Sequence, residues 1–165
     1  MDNVRNSVKK EEDKELRLHI RRLAKTRNIE QGRMTYSGFL SDKLLLAESA
    51  KKGVPIRLFK EIKSNSPFDD KQWSGFLDIN IRTLQRYRKD DDHVFRPIQS
   101  EKILELAEVV SLGNELFDTP EKFSLWLNTP SIALGDNKPI DLLDTSFGKD
   151  MVISELSRIE HGVFV

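Results

Sequence analysis

Apolar positions in this chain recur at helical spacing in short blocks, and each block is closed by a capping or breaking residue. Leu16, Ile20 and Leu23 predict a helix over about residues 12–27 that needs another surface to pack on. Residues 39–52 predict an amphipathic helix with Ser41 as N-cap, Leu44, Leu45 and Ala47 as its apolar content, and Gly53 as its stop. Pro55 opens the next helix, with Ile56, Phe59 and Ile62 facing inward, and Ser64-Asn65-Ser66-Pro67 breaks it. Asp69 or Asp70 caps a further helix through Trp73, Phe76 and Leu77.

Leu77-Asp78-Ile79-Asn80 then turns the chain. Residues 81–89, I-R-T-L-Q-R-Y-R-K, predict a short helix capped by Asn80 that buries Leu84 and Tyr87 and turns Arg82, Gln85, Arg86 and Lys89 outward. Ser100 is the expected N-cap of a long helix over 101–117, with Ile103, Leu106, Ala107, Val110 and Leu116 buried. Thr119 caps a helix that starts at Pro120, puts Phe123, Trp126 and Leu127 on one face, and ends at Asn128-Thr129-Pro130. Pro139 opens a short turn carrying Ile140, Leu142 and Leu143. Thr145 caps a last helix in which Val152, Leu156 and Ile159 recur at i, i+4 and i+7, with Arg158 and His161 in its last turn and Gly162 closing it. The expected fold class is all-α, with two helical units in series.

A chain of 165 residues can bury one good core or two small ones, and the helical punctuation favours two. It has no cysteine, no apolar run long enough to cross a bilayer and no apolar segment behind its N-terminal charges, which fits a reducing cytoplasm without membrane contact. The formal net charge of zero hides an asymmetry. Residues 1–100 hold 22 Lys and Arg against 15 Asp and Glu, while 101–165 hold five against 12. A basic front suits a polyanion and an acidic back suits a basic protein, although solvated helix faces produce the same composition.

Two short helices joined by a tight turn, the second rich in outward Arg and Gln and free of acid, form the pattern of a helix-turn-helix. Residues near the start of such a helix reach base edges, which points to Arg82, Thr83 and Gln85; Arg86, Arg88 and Lys89 are placed to hold phosphates. The alternative is a solvated or packing helix that never touches DNA, and Asp90-Asp91-Asp92 at its end would repel phosphate if it lay on the docking face. Arg17, Arg21, Arg22, Lys25 and Arg27 make a further basic stripe, read either as an arm on phosphate or as a solvated face. The long helix over 101–117 reads either as an intrachain core or as a homodimer contact.

Catalytic parts are missing. His19, His93 and His161 are scattered without carboxylates at ligand spacing, so no metal is expected, and no cofactor. There is no Gly-rich phosphate loop, no G-x-S-x-G elbow and no cysteine nucleophile, so the chain is not expected to be an enzyme.

Three separated motifs near the end carry a resemblance: W-L-x-T-P-x-x-A-L-G from Trp126, P-x-D-L-L-x-T-x-x-G from Pro139, and V-x-x-x-L-x-R-I-E-H-G-V from Val152. In this order they are similar to the toxin-binding domain of Xre/MbcA/ParS-type antitoxins, and L-D-I-N-I-R-T-L-Q-R-Y resembles the recognition-helix region of Xre/Cro-like repressors and of the same antitoxins. One departure is Asp136, where the family usually repeats a glycine. Residue pattern and resemblance together divide the chain into a charged extension over 1–35, a helix-turn-helix domain over 36–99, a connecting helix over 100–118 and a toxin-binding domain over 119–165. The resemblance implies as partners an NAD-degrading toxin of the RES class, whose active site the last domain covers, and operator DNA read by a homodimer that represses its own operon. Matched residue by residue, the terminal motif puts Arg158, Glu160, His161, Gly162, Val163 and Phe164 at or next to the toxin. Trp126 reads as core. The competing function is a stand-alone regulator whose C-terminal domain only oligomerises, and a third is a scaffold without a DNA role.

Overall fold

The computed structural model describes residues 14–23 and 34–162. Residues 14–23 are helical and form α1. There follow α2 (Tyr36–Ser41), α3 (Lys43–Lys52), α4 (Ile56–Ser64), α5 (Asp70–Phe76), α6 (Ile81–Tyr87) and α7 (Pro97–Leu116). The chain ends with α8 (Pro120–Leu127), a 3-10 turn (Ile132–Leu134), α9 (Pro139–Leu142) and α10 (Ser146–Glu160). No strand occurs among the described residues, where the bridges are the isolated pairs Pro55 with Val94 and Ser131 with Asn137.

Most helix boundaries follow from side chains that satisfy the first free N–H groups. Asp69 accepts from the Gln72 N–H while the Gln72 side chain accepts from the Asp69 N–H, a complete capping box. Thr119 and Thr145 cap α8 and α10, Pro120 and Pro139 sit at helix starts, and Gly162 closes α10 in the left-handed region.

Three expected boundaries are corrected. The predicted helix over 39–52 is two helices, because Asp42, not Ser41, accepts from both the Leu44 and Leu45 N–H groups, while the Ser41 hydroxyl donates back to Ser37. That start sets the phase: Leu45, Leu46 and Ser49 are buried, and Leu44 and Ala47 face out. The long helix begins at Pro97 and not at 101. Ser100 lies inside it, fully buried, donating to the Phe95 carbonyl at 3.1 Å and accepting from the Val54 N–H at 2.8 Å. The short basic helix ends at Tyr87, leaving Arg88 and Lys89 in the turn that follows.

The chain divides into two compact units that do not follow chain order: residues up to Ser64 with Arg82–Leu104, and Asn65–Ile81 with residues from Glu105 onward. In the first unit, Ile56, Leu58, Phe59, Ile62, Leu84, Phe95 and Ile103 are fully or almost fully buried, and Phe59 and Phe95 pack with ring centroids 5.0 Å apart. A backbone clasp closes this core. The Ile56 N–H donates to His93 and the Phe95 N–H to Val54. The approach demands glycine at 53, where φ is +91° and a Cβ would stand 2.5 Å from the Phe95 carbonyl oxygen.

In the second unit, Trp73 stacks edge-on with Phe68 and donates its indole N–H to Ser66. Leu106, Ala107, Val109, Phe123, Leu127, Leu143, Val152 and Leu156 are buried. Trp126 packs against Phe117 and Phe123 but is only half-buried, at the edge of this core and not inside it. Lys149 is buried too, bonded to Asp150 at 2.7 Å and Glu108 at 3.5 Å. Burial works against its charge, but the hydrogen bond to Asp150 and the carboxylates of Glu108, Asp150 and Glu105 outweigh that and raise its pKa. The ammonium therefore stays charged and ties α10 to the C-terminal part of α7.

Candidate functional site

The first candidate surface is α6. Leu84, fully buried, anchors it, and Tyr87 stacks on His93 at 3.6 Å between ring centroids, with Phe95 edge-on to both. Because the Ile56 N–H holds the carbonyl of His93, the clasp and the ring stack together fix the end of this helix. Arg82, Gln85, Arg86 and Lys89 are exposed, and Thr83 and Arg88 half-buried. The Arg86 guanidinium lies 5.7 Å from the centroid of the Tyr87 ring, which limits its sweep. Burial, with Arg86 adding to it against an opposing Asp90, lowers the His93 pKa, so this ring is neutral at pH 7 and adds no charge to the surface.

The acidic run after α6 is partly spent within its own unit. Asp91 pairs with Lys60 at 3.0 Å, and the hydrogen bond from that ammonium pulls its pKa down. Asp90 accepts from the Asp92 N–H and shapes the turn. Asp78, in the connection before α6, has φ of +49°, the left-handed position that a tight turn between two helices requires.

The second candidate surface is the last helix. Arg158 is half-buried, its guanidinium bonded to Glu155 at 3.0 Å. Glu160, His161 and Gly162 are exposed, and His161 Nδ1 lies 2.7 Å from the Ser157 carbonyl oxygen, so that ring caps the helix end. Val163 and Phe164, Lys25 and Arg27 lie outside the described residues. Arg158 also lines an open groove of about 330 Å³ with Ala133, Leu134, Phe147, Asp150, Met151, Ser154 and Glu155.

The apolar wall of this groove was not among the expected site residues. Phe147 is 87% exposed and Met151 46%, and Ile132, in the same 3-10 turn as Ala133 and Leu134, is 89% exposed. The signal in the sequence is that Phe147 and Met151, four apart, fall off the face that Val152, Leu156 and Ile159 define. The turn also carries Asp136, where a repeated glycine is expected. Gly135 and Asp136 both adopt left-handed φ, +66° and +61°, so Asp136 takes the conformation that a glycine would take without strain. Among the described residues no group of three or more His, Cys, Asp or Glu could hold a metal ion.

Charge separates with the units more sharply than with chain halves. The unit containing α6 holds 22 Lys and Arg against 13 Asp and Glu, and the unit containing α10 holds five against 14, net charges of +9 and −9. None of the described helices is long and apolar enough to cross a membrane.

Comparison with known proteins supplies the family. Residues 45–108 match the antitoxin Xre-like helix-turn-helix domain, and residues 112–162 match the antitoxin Xre/MbcA/ParS C-terminal toxin-binding domain. A "Prs ADP-ribosylating antitoxin" from Sphingobium sp. (strain YBL2) is 32% identical over 123 residues, covering 69% of this chain and 77% of the relative. An "Antitoxin Xre" from Yersinia enterocolitica is 31% identical over 121 residues, 73% of this chain and 81% of the relative. A second "Antitoxin Xre", from Photorhabdus laumondii, is 29% identical over 112 residues, 67% of this chain and 75% of the relative. The chain belongs to the Xre-type antitoxins, with a helix-turn-helix domain followed by a toxin-binding domain.

Proposed function

We propose that this antitoxin docks its C-terminal domain, residues 119–165, on a RES-type toxin and blocks access of NAD to the toxin's site. The observation that carries this reading is the match of residues 112–162 to a toxin-binding domain, joined to the exposed end of α10 where the terminal motif lies. Arg158, Glu160, His161 and Gly162, followed by Val163 and Phe164, form the inhibitory contact. Glu155 holds the Arg158 side chain along the groove, so it meets a partner already oriented. The Sphingobium relative's name carries ADP-ribosylation, a chemistry that also consumes NAD. The antitoxin acts by occupying a surface, not by turning over a substrate.

The helix-turn-helix domain delivers the chain, as a dimer or as a toxin complex, to the operator of its own operon and represses it. Arg82, Thr83 and Gln85 are assigned to base edges, and Arg86, Arg88 and Lys89 to phosphates. Support comes from the outward position of Arg82, Gln85, Arg86 and Lys89, the pairing of Asp91 by Lys60 and the +9 charge of that unit. Co-expression with the protein encoded beside this chain is the test, scored by growth and cellular NAD. Restored growth with NAD held at its normal level is expected; a neighbour left fully toxic, with the chain shifting promoter DNA alone, assigns it to the stand-alone regulators.

A further inference from the structure

Phe147 and Met151, which line the groove, expose large apolar surface on a unit that is otherwise strongly acidic, and Ile132 is exposed in the 3-10 turn that supplies two further lining residues. Water-exposed aromatic and thioether side chains rimming a concave site cost solubility and are typical of a surface that a partner covers. Phe147 is 87% exposed, and an aromatic anchor loses little side-chain entropy on docking. The charge around it selects the partner. Of the five cations in this unit, Lys122, Lys149 and Arg158 are bonded to Asp118, to Glu108 and Asp150, and to Glu155, so the surplus of carboxylates dominates its outer field.

From this we infer that the groove between the 3-10 turn and α10 is a docking site for a protein surface that presents an apolar side chain flanked by Lys or Arg, and that the surface is on the toxin. The inference rests on the antitoxin reading and adds to it a second contact, separate from the terminal motif: the groove supplies affinity and orientation, and the end of the chain supplies the block. Phe147 and Met151 pack on the partner's apolar group, and the carboxylate surplus speeds encounter with its basic rim. Asp150 and Glu155, which line the groove, are paired with Lys149 and Arg158, so no charge is buried alone when a partner covers it.

The experiment is a binding titration of full-length chain against a catalytically inactive form of the proposed RES-type toxin, with promoter binding and thermal melting as readouts of folding. Phe147→Ser with Met151→Ser is expected to weaken toxin binding by roughly 100-fold and to leave DNA binding and the melt unchanged. Ser154→Arg, at an exposed position on the groove, is expected to weaken it by at least roughly tenfold, since it both fills the groove and repels a basic rim. Raising salt from 50 to 300 mM is expected to slow association. Wild-type affinity in both variants overturns the groove while leaving the antitoxin reading intact. A free chain whose self-association, not toxin binding, responds to the variants overturns it as well, in favour of a second copy as occupant. Failure of the unaltered chain to bind the toxin overturns both readings.

Discussion

Two glycines of the same unit should respond to alanine in opposite directions. Gly148, in the first turn of α10, is buried, and a Cβ there would stand 2.0 Å from the Leu142 carbonyl oxygen, 2.8 Å from its carbon and 2.9 Å from the Leu142 Cβ. Alanine gains about 0.5–1 kcal/mol over glycine inside a helix. Overpacking costs about 1–3 kcal/mol even where side chains can give way, and here the obstacle is backbone. The clash wins, and Gly148→Ala should lose about 2 kcal/mol, or roughly 10 °C in melting temperature for a unit of this size. Gly75 in α5 has nothing within 4 Å of the same added atom, so Gly75→Ala should instead gain about 0.5–1 kcal/mol. Thermal melts of the two variants beside the wild-type chain decide it. A Gly148→Ala protein melting at or above wild type would refute the close approach of α9 to α10.

Other outcomes follow from named groups. His19 is almost fully buried with its Nε2 unpartnered, and burial, aided by Arg22 and Lys52, pushes its pKa down from 6.5 to about 4. Its folded pKa lies below the unfolded one, so the stability it contributes is whole above pH 6.5 and is lost as pH falls towards 4. About 2 kcal/mol should go between pH 6.5 and 5, and urea midpoints of His19→Leu should lose most of that dependence. Asp136→Gly should stabilise by about 0.5–1 kcal/mol, because φ of +61° suits glycine; a lowered urea midpoint would show that the aspartate side chain matters more than the backbone. Arg82→Ala with Arg86→Ala should weaken promoter binding and make the slope of log affinity against log salt shallower by about 1 for each phosphate no longer neutralised, and an unchanged slope would place α6 off the DNA.

Much of the fold was legible because helix ends in this chain are local events. Asp69, Thr119, Thr145, Gly53 and Gly162 each do their work within a few residues, and each stands where the pattern put it. The misplaced ends have non-local or competing causes. Ser100 looks like an N-cap in sequence, but its hydroxyl serves the clasp by bonding Val54, 46 residues away. Ser41 lost the start of α3 to Asp42, a stronger acceptor one position on. The assignment of Asn65–Ile81 to the same unit as residues beyond Glu105 rests on long-range packing such as the Asn114 bond to the Asn65 carbonyl, which no window of sequence reveals.

The candidate site was legible in its chemistry more than in its shape. Outward Arg82, Gln85 and Arg86 follow from helical period alone, as does buried Leu84, whereas Lys89 is exposed in the turn after the helix. The pairing of Asp91 with Lys60 depends on how α4 and the loop after α6 are folded together. Phe147 falls off the apolar face of α10 already in the sequence, but the groove that it and Met151 line with the 3-10 turn is disclosed only by the fold.

The most direct test of the antitoxin account is NAD turnover by the purified RES-type toxin, measured with equimolar full-length chain and with a chain stopped after Ser157, which keeps the buried Val152 and Leu156. The account predicts that the full chain abolishes turnover and that the shortened chain leaves most of it. Turnover undiminished by the full chain, or blocked equally by the shortened one, would contradict it.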